Sequence, residues 1–313
     1  MAEALKINCR HCHAKLDLGD CAPFEKVACP ECGAALLVPM RFERYLLEKV
    51  CGKGGDSIVY RALEPELARR VAVKIETESG NQETAQRFVN AARISGRISH
   101  PGAVSVYNCG TFDNRAFMVL RFMEHGDLEQ MLKKGTLPGP GKILSWIAGI
   151  IPVLIEAREN NIVHHDIKPA NIMLTAEDEP KLGDWDIADI RTPGDRSTVS
   201  SMWASPIYAS PERIFSGGED HKGDIFSLGV TLYELLSGIA PFGLHGGQDT
   251  IYERRRNMNF QSLHKLVREI PPAVSLLVTG MLDFYPENRP DYEEILALLE
   301  AVAKEDILIN KPN

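Results

Sequence analysis

"HHDIKPANIML", residues 164–174, decides how this 313-residue chain is read. An acid, Asp166, is followed by a cation, Lys168, and then by a carboxamide, Asn171. A carboxylate can orient a hydroxyl, an amine can neutralise phosphate charge, and an amide oxygen can hold a metal ion. At this spacing the three look like a loop for phosphoryl transfer. Any one of them alone is equally well a solvated loop residue, so the distances to other motifs matter.

Downstream, Gly183-Asp184-Trp185-Asp186 brings a carboxylate thirteen residues after Asn171. Upstream, the run Cys51-Gly52-Lys53-Gly54-Gly55-Asp56-Ser57-Ile58-Val59-Tyr60 lies between two strand-like segments. Glycines there allow a sharp hairpin whose amides approach phosphates closely. An ordinary hairpin turn is the plainer reading of the loop taken alone. A dinucleotide-binding fold would need a helix next, whereas Ile58–Ala62 reads as a strand. Val71-Ala72-Val73-Lys74 follows, and a lysine on a central strand would aim its ammonium at nucleotide phosphates.

Together these motifs resemble the eukaryotic-type serine/threonine protein kinase family. The resemblance covers about residues 41–302 and extends to three further motifs. Ser210-Pro211-Glu212 is similar to the motif closing the activation segment, with Arg289 as the buried partner of Glu212. Asp224–Gly229 is similar to the helix start that caps the catalytic-loop backbone. Ser205 matches the residue that accompanies a serine or threonine acceptor. The implied fold is α+β and bilobal, with a β-rich small lobe and an α-rich large lobe.

The resemblance also implies roles. Asp166 would take the proton of the acceptor hydroxyl, and Lys168 would neutralise the transferred phosphate. Asn171 and Asp184 would hold magnesium or manganese. Gly52 to Ser57, with Ser57 in place of a third glycine, would cover the phosphates of ATP, and Lys74 would contact them. Cys51, Val59 and Ala72 would roof the adenine, with Met173 beneath. Leu120 would be the gatekeeper, Arg121 to Met123 the hinge, and Asp127 a partner of the ribose. Protein substrates or signalling partners follow from the same resemblance.

Three positions depart from the family pattern. The helix position that carries the lysine's glutamate partner is Ala91, nine residues before His100. Glu83 lies about 12 Å further up such a helix. Trp185-Asp186 stands where the family has Phe-Gly. His165 stands where the family has an arginine that pairs with a phosphorylated activation loop. An unperturbed histidine is mostly uncharged at neutral pH, so the expectation is activity independent of phosphorylation at Thr192, Ser197, Thr198, Ser200 or Ser201. Ala91 and Asp186 also support an alternative: a pseudokinase that binds nucleotide or scaffolds partners without transferring phosphate.

Around these motifs, RYLLEKV, SIVYRAL, RVAVKIE, AVSVYNCG and AFMVLRFM read as strands. ETAQRFVNAARISGRI reads as a helix with Ala85, Phe88, Val89 and Ala92 on its apolar face. After Gly126 the pattern is helical, notably in LGVTLYELLSGI and DYEEILALLEAVA. The domains expected are a cysteine-rich segment over 1–40, a kinase-like domain over 41–302 and a frayed polar tail over 303–313.

In the first segment, Cys9-x-x-Cys12 and Cys29-x-x-Cys32 are sixteen residues apart. That is the spacing of a two-knuckle zinc site, here resembling a zinc ribbon. Gly33 permits the tight turn of the second knuckle. Four unrelated buried thiols are the plainer alternative. Cys21, His11 and His13 are expected not to be ligands. A segment this short has little core, so Zn2+ would supply folding free energy. Its mixed charge and single aromatic, Phe24, favour protein contact or bracing as its role.

The net charge of -8 argues against nucleic acid as the main partner. No uninterrupted run of eighteen apolar residues and no apolar signal core are present, so a cytoplasmic protein without a membrane span is expected. Oligomeric state and substrate identity are not legible.

Overall fold

The computed structural model describes residues 6–9, 11–190, 206–215, 218–243 and 248–309. Ser205 and the five candidate phosphorylation sites lie outside the described residues. The chain divides into two units: one runs to Ala92 and resumes over Ser105–Phe122, and the other takes Arg93–Val104 and everything from Met123 on.

The first unit begins with two short hairpins. β1 (Lys6–Asn8) pairs with β2 (Lys15–Asp17), and β3 (Lys26–Ala28) with β4 (Ala35–Leu37). Each hairpin turn carries one Cys-x-x-Cys pair. Leu16, Leu18 and Val38 form a small core with Cys9 and Cys29. The antiparallel six-stranded sheet that follows has the order β5-β6-β7-β8-β10-β9. Its strands are β5 (Met40–Phe42), β6 (Tyr45–Lys53), β7 (Ser57–Glu64), β8 (Arg69–Glu76), β9 (Val106–Phe112) and β10 (Arg115–Arg121).

Strand alternation sorts this sheet into two faces. Val71, Val73 and Ile75 of β8 point to one side and form a core with Leu47, Ala62, Phe117 and Val119. Phe24 of the cysteine-rich segment packs on that face, its ring stacked on Tyr60 at 6.1 Å. Lys74 points to the other face. Directly opposite residues in a ladder share a side, so Lys74 stands with Val59 and Met118, and Ala72 with Leu120.

Helix α1 (Gln82–Ser95) starts at Asn81, whose side chain accepts hydrogen bonds from the Glu83 and Thr84 amides at 3.1 Å each. It buries Thr84, Phe88, Ala91 and Ile94, while Val89 is exposed. Of the expected face, Phe88 is buried and Ala85 and Ala92 are half-buried, so the departure is confined to Val89. Alanine is too short to define a stripe by itself, and Ala91 rather than Val89 meets the interior.

The second unit opens with β11 (Gly126–Asp127), α2 (Leu128–Lys134) and α3 (Pro140–Glu159). Pro140 starts α3 where a missing amide costs nothing. By length and apolarity α3 could cross a bilayer, yet half of that stretch is buried, with Ile143, Ile147, Ile150, Ile151 and Leu154 inside the unit. Two small sheets follow, one of β11, β13 (Ile172–Leu174) and β14 (Pro180–Leu182), the other of β12 (Ile162–Val163) and β15 (Asp189–Ile190). The remaining helices are α4 (Pro211–Phe215), α5 (His221–Ser237), α6 (Gln248–Arg256), α7 (Leu263–Leu266), α8 (Pro272–Met281) and α9 (Tyr292–Ile309). α5 is buried along nearly its whole length. α9 continues through Ile309, so the backbone of most of the expected frayed tail is helical.

Candidate functional site

In the second unit, the hairpin of β13 and β14 decides where the metal-ligating candidates sit. Ile172 pairs with Leu182, so Asn171 and Gly183 flank the same end. The Gly183 amide donates to the Asn171 carbonyl at 2.9 Å, which brings Asp184 alongside Asn171. Space at Gly183 is tight: a Cβ there would stand 2.5 Å from Met173 Cε and 2.8 Å from Val104 Cγ2, so a larger residue would force those side chains to shift. Asp184 itself takes a left-handed φ of 62°.

Asp166 lies at the centre of this end. Its carboxylate accepts from Lys168 Nζ at 2.6 Å and from Asn171 Nδ2 at 3.0 Å. Asn171 Nδ2 also donates to the Asp166 carbonyl at 2.7 Å. With its amide nitrogen so committed, Asn171 presents its side-chain oxygen, which is the hard donor magnesium prefers. Asp184 supplies a second hard donor type on the adjoining loop. The donor set therefore fits Mg2+ or Mn2+ and not a thiophilic metal.

The loop backbone is held from behind. Asp224 of α5 accepts from the His164 and His165 amides at 2.7 and 2.8 Å. Burial raises its carboxyl to about 7, against which those two amides work. Arg213 of α4 donates to the His165 carbonyl at 2.7 Å. His164 is fully buried: it meets the Gly183 carbonyl through Nε2 at 3.1 Å and accepts the Asp166 amide at Nδ1. Burial lowers it to about 4, so it is neutral. Its ring lies 4.4 Å from that of Trp185, which is buried.

His165 is not the uncharged residue its type suggests. Its ring is buried, and the two nitrogens face two carboxylates, Glu219 Oε1 at 2.7 Å and Asp189 Oδ1 at 2.8 Å. Burial alone would lower its pKa. The Asp189 and Glu219 hydrogen bonds and the Glu219 charge outweigh that and raise it to about 9. The expectation of a neutral His165 at pH 7 is thereby corrected. Neither Glu219 nor Asp189 is signalled by any motif.

Asp127 stands directly across from Met173 on β11 and β13. It caps α2, accepting from the Gln130 amide at 2.8 Å and from Gln130 Nε2 at 2.5 Å. Burial raises its carboxyl above the ordinary value. Met123 is buried, and Met173 half-buried. Glu212 and Arg289 form a bidentate pair of 2.7 and 2.8 Å. The Pro206 and Ile207 carbonyls accept from the buried Arg255 at 3.0 and 2.5 Å, and the Tyr208 hydroxyl donates to Glu234 at 2.6 Å.

In the first unit, Lys74, Val59, Ala72 and Leu120 share one sheet face. Cys51, Gly52, Lys53, Gly54 and Gly55 are exposed along the end of β6 and its turn. The Gly54 amide donates to the Ser57 carbonyl at 2.8 Å, closing the hairpin. Asp56 is fixed twice: its carbonyl accepts from the Thr77 amide, and its carboxylate pairs with Arg87 of α1. α1 brings Phe88 to Lys74, with Nζ 5.6 Å from the ring centroid. Ala91, one turn further on, brings no carboxylate.

In the hairpins that open the same unit, the Cys9, Cys12, Cys29 and Cys32 sulfurs all lie within 4.8 Å of one another. Cys9–Cys32 and Cys12–Cys29 are 3.8 and 3.7 Å apart. A tetrahedron with zinc–sulfur bonds of about 2.3 Å has edges of about 3.8 Å. The cluster thus fits a small zinc ribbon. The two knuckles share one backbone design, with Gly33 at φ 73° and His13 at φ 62° in equivalent positions. Among the described residues, Cys21, His11 and His13 are not part of the cluster.

A lysine-bearing sheet with a glycine-rich hairpin, and a helical unit presenting an acid, an amine, an amide and a second acid on adjoining loops, are the parts of a protein kinase domain. The chain belongs to the protein kinase domain family, whose model matches residues 45–298. It is 29% identical over 268 residues to the serine/threonine-protein kinase PknL of Mycobacterium tuberculosis, covering 84% of this chain and 66% of that protein. It is 31% identical to a probable serine/threonine-protein kinase of Clostridium perfringens, covering 84% of this chain and 38% of that one. A kinase of Myxococcus xanthus, pkn3, is 29% identical over 84% of this chain and 50% of its own length. The chain thus spans from two fifths to about two thirds of the curated relatives it matches.

Proposed function

We propose that this chain is an ATP- and magnesium-dependent protein serine/threonine kinase whose N-terminal zinc ribbon braces the lysine-bearing sheet. The observation that carries the reading is the Asp166 carboxylate, bonded to Lys168 and Asn171 on the loop adjoining Asp184. The relatives' names, all serine/threonine kinases, support a hydroxyl of serine or threonine as acceptor. We assign the ribbon to residues 1–40, the kinase domain to 41–302 and the tail to 303–313.

In this reading Asp166 accepts a hydrogen bond from the acceptor hydroxyl and takes its proton as the oxygen bonds to the γ-phosphorus. The bond from that phosphorus to the bridging oxygen breaks, and ADP leaves. Lys168 balances charge on the transferred group, and Lys74 on the remaining phosphates. The glycine-rich hairpin positions the phosphates, while Val59, Ala72, Leu120, Met123 and Met173 supply apolar contact for the base. Asn171 and Asp184 would hold magnesium, which would neutralise charge on the phosphates. Four paired thiols that suit a metal also suit a reducing compartment, the cytoplasm.

A nucleotide-binding scaffold is the second reading, favoured by Ala91, which stands where the family has a glutamate. Incubation with labelled ATP and Mg2+ or Mn2+, beside Asp166→Ala, separates the two. Label on the protein or on a basic peptide, lost in the variant, supports transfer. Nucleotide binding without transfer supports the scaffold. Zinc stoichiometry measured against Cys9→Ser tests the ribbon.

A further inference from the structure

His165 is held at four points. Its amide donates to Asp224, and its carbonyl accepts from Arg213. One ring nitrogen meets Glu219 and the other meets Asp189. The residue takes a left-handed φ of 66°, which a non-glycine residue adopts only when its surroundings hold it there. It directly precedes Asp166, so whatever fixes His165 fixes the base.

The ring contacts define its chemistry. A neutral imidazole has one N–H, and its other nitrogen is an acceptor. A carboxylate is acceptor-only, so two carboxylates can both be satisfied only by an imidazolium. Glu219 is buried and saturated: Oε1 accepts from His165 and from Arg213 at 2.9 Å, and Oε2 from the Ser210 hydroxyl at 2.5 Å. Burial alone would raise Glu219, but these neighbours outweigh it and hold it below the ordinary range. Asp189 stands on β15, opposite Val163, and precedes residues 191–205 by two positions.

We propose that Glu219, His165 and Asp189 form a charged positioning chain that locks β15 to the loop bearing Asp166. A carboxylate already in the chain thereby does the work that an added phosphate would do. The proposal rests on the kinase reading for its effect on transfer. The anchor itself does not.

The groups facing His165 are Glu219 from the turn before α5, Asp224 from α5, Arg213 from α4, Asp189 from β15, and His164 and Asp166 of its own loop. Of these, Asp189 is the most exposed, at 36% of its side chain, and is the gentlest place to perturb the chain.

The test uses full-length protein labelled at histidine 13Cε1, titrated by NMR without nucleotide, with His165→Gln assigning the resonance. We expect His165 to titrate well above 8, and Asp189→Asn or Glu219→Gln to lower its midpoint by at least one pH unit. In parallel, kcat for a basic peptide should hold to pH 8 in the wild type. In either variant its alkaline limb should move down by a similar amount, with KM for ATP unchanged. A structural role alone would lower the melting temperature and leave that limb in place. Alanine at Thr192, Ser197, Thr198, Ser200 and Ser201 together should retain activity.

Titration of His165 near its ordinary value overturns the anchor whatever the activity. So does an unmoved midpoint in Asp189→Asn, should Glu219→Gln fail to fold. Loss of activity in the folded five-site variant overturns the independence from phosphate. A high His165 midpoint in a protein that transfers no label supports the anchor and overturns the kinase reading instead.

Discussion

Arg87 of α1 reaches across to Asp56 and pairs with its carboxylate at the tip of the glycine-rich hairpin. Arg87 also donates to Thr84 Oγ1 at 3.1 Å, which keeps its side chain over the first turns of the helix. An arginine–aspartate pair thus joins helix to phosphate loop. Such a half-buried pair contributes about 1 kcal/mol, a factor of about five. Arg87→Ala and Asp56→Ala should each raise KM for ATP by roughly fivefold, with kcat changed less. The double variant should be no worse than either single one. Additive losses across that cycle would show that the two residues do not act as a pair.

Arg289 is fully buried and holds Glu212 through two parallel contacts. Removing one partner leaves the other uncompensated, at a cost of about 3–5 kcal/mol. For a unit of this size, Arg289→Ala should lower the melting temperature by roughly 10 °C. Thermal unfolding checks this, and a fall of only a degree or two would mean that Glu212 finds other partners.

His165 gives stability a defined dependence on pH. Its folded pKa is raised from 6.5 to about 9. A raised pKa stabilises the fold fully below the unfolded value, and that stabilisation disappears as pH rises through the folded value. Wild-type protein should lose melting temperature between about pH 6.5 and pH 9, whereas His165→Gln should show a shallower decline in that window. Parallel curves would assign the alkaline loss to other groups.

Zinc and the sheet should be separable by mutation. Chelation, or Cys9→Ser, should release the metal and destabilise the whole first unit, because Phe24 of the ribbon packs on its apolar face. Phe24→Ala removes the ring stacked on Tyr60, costing about 1–2 kcal/mol, yet leaves all four thiols in place. That variant should keep one zinc per chain by elemental analysis and still melt several degrees lower. A variant that loses its zinc would place Phe24 in the ribbon's own core instead.

What could be read from the sequence were the features that local spacing encodes. Asp166, Lys168 and Asn171 sit on one short loop, and two Cys-x-x-Cys pairs announce themselves. Even the distant Arg289–Glu212 pair was legible, because a family motif marks each partner. Glu219 carries no such mark. It lies 54 residues from His165, in a polar turn whose composition suggests only solvent. The charge on His165 was misread for the same reason: a reference pKa holds for a solvated ring, and two carboxylates from remote elements replace the solvent. On α1 Phe88 was legible, whereas Val89 and Ala91 exchanged places because alanines weigh little in a hydrophobic pattern. Arg87–Asp56 escaped notice because a helix residue and a hairpin tip have no common period.

Phe24 of the ribbon and Lys74 occupy opposite faces of a single sheet. The side away from Lys74, with Tyr60 and the layer of valines and phenylalanines beneath it, owes part of its cover to a module whose shape a metal can set. Starved of zinc, the chain would show its surroundings an adhesive flank, inviting chaperones, proteases or other copies of itself. The supply of one trace metal would then govern how much of this protein persists, with no change at the residues that handle phosphate.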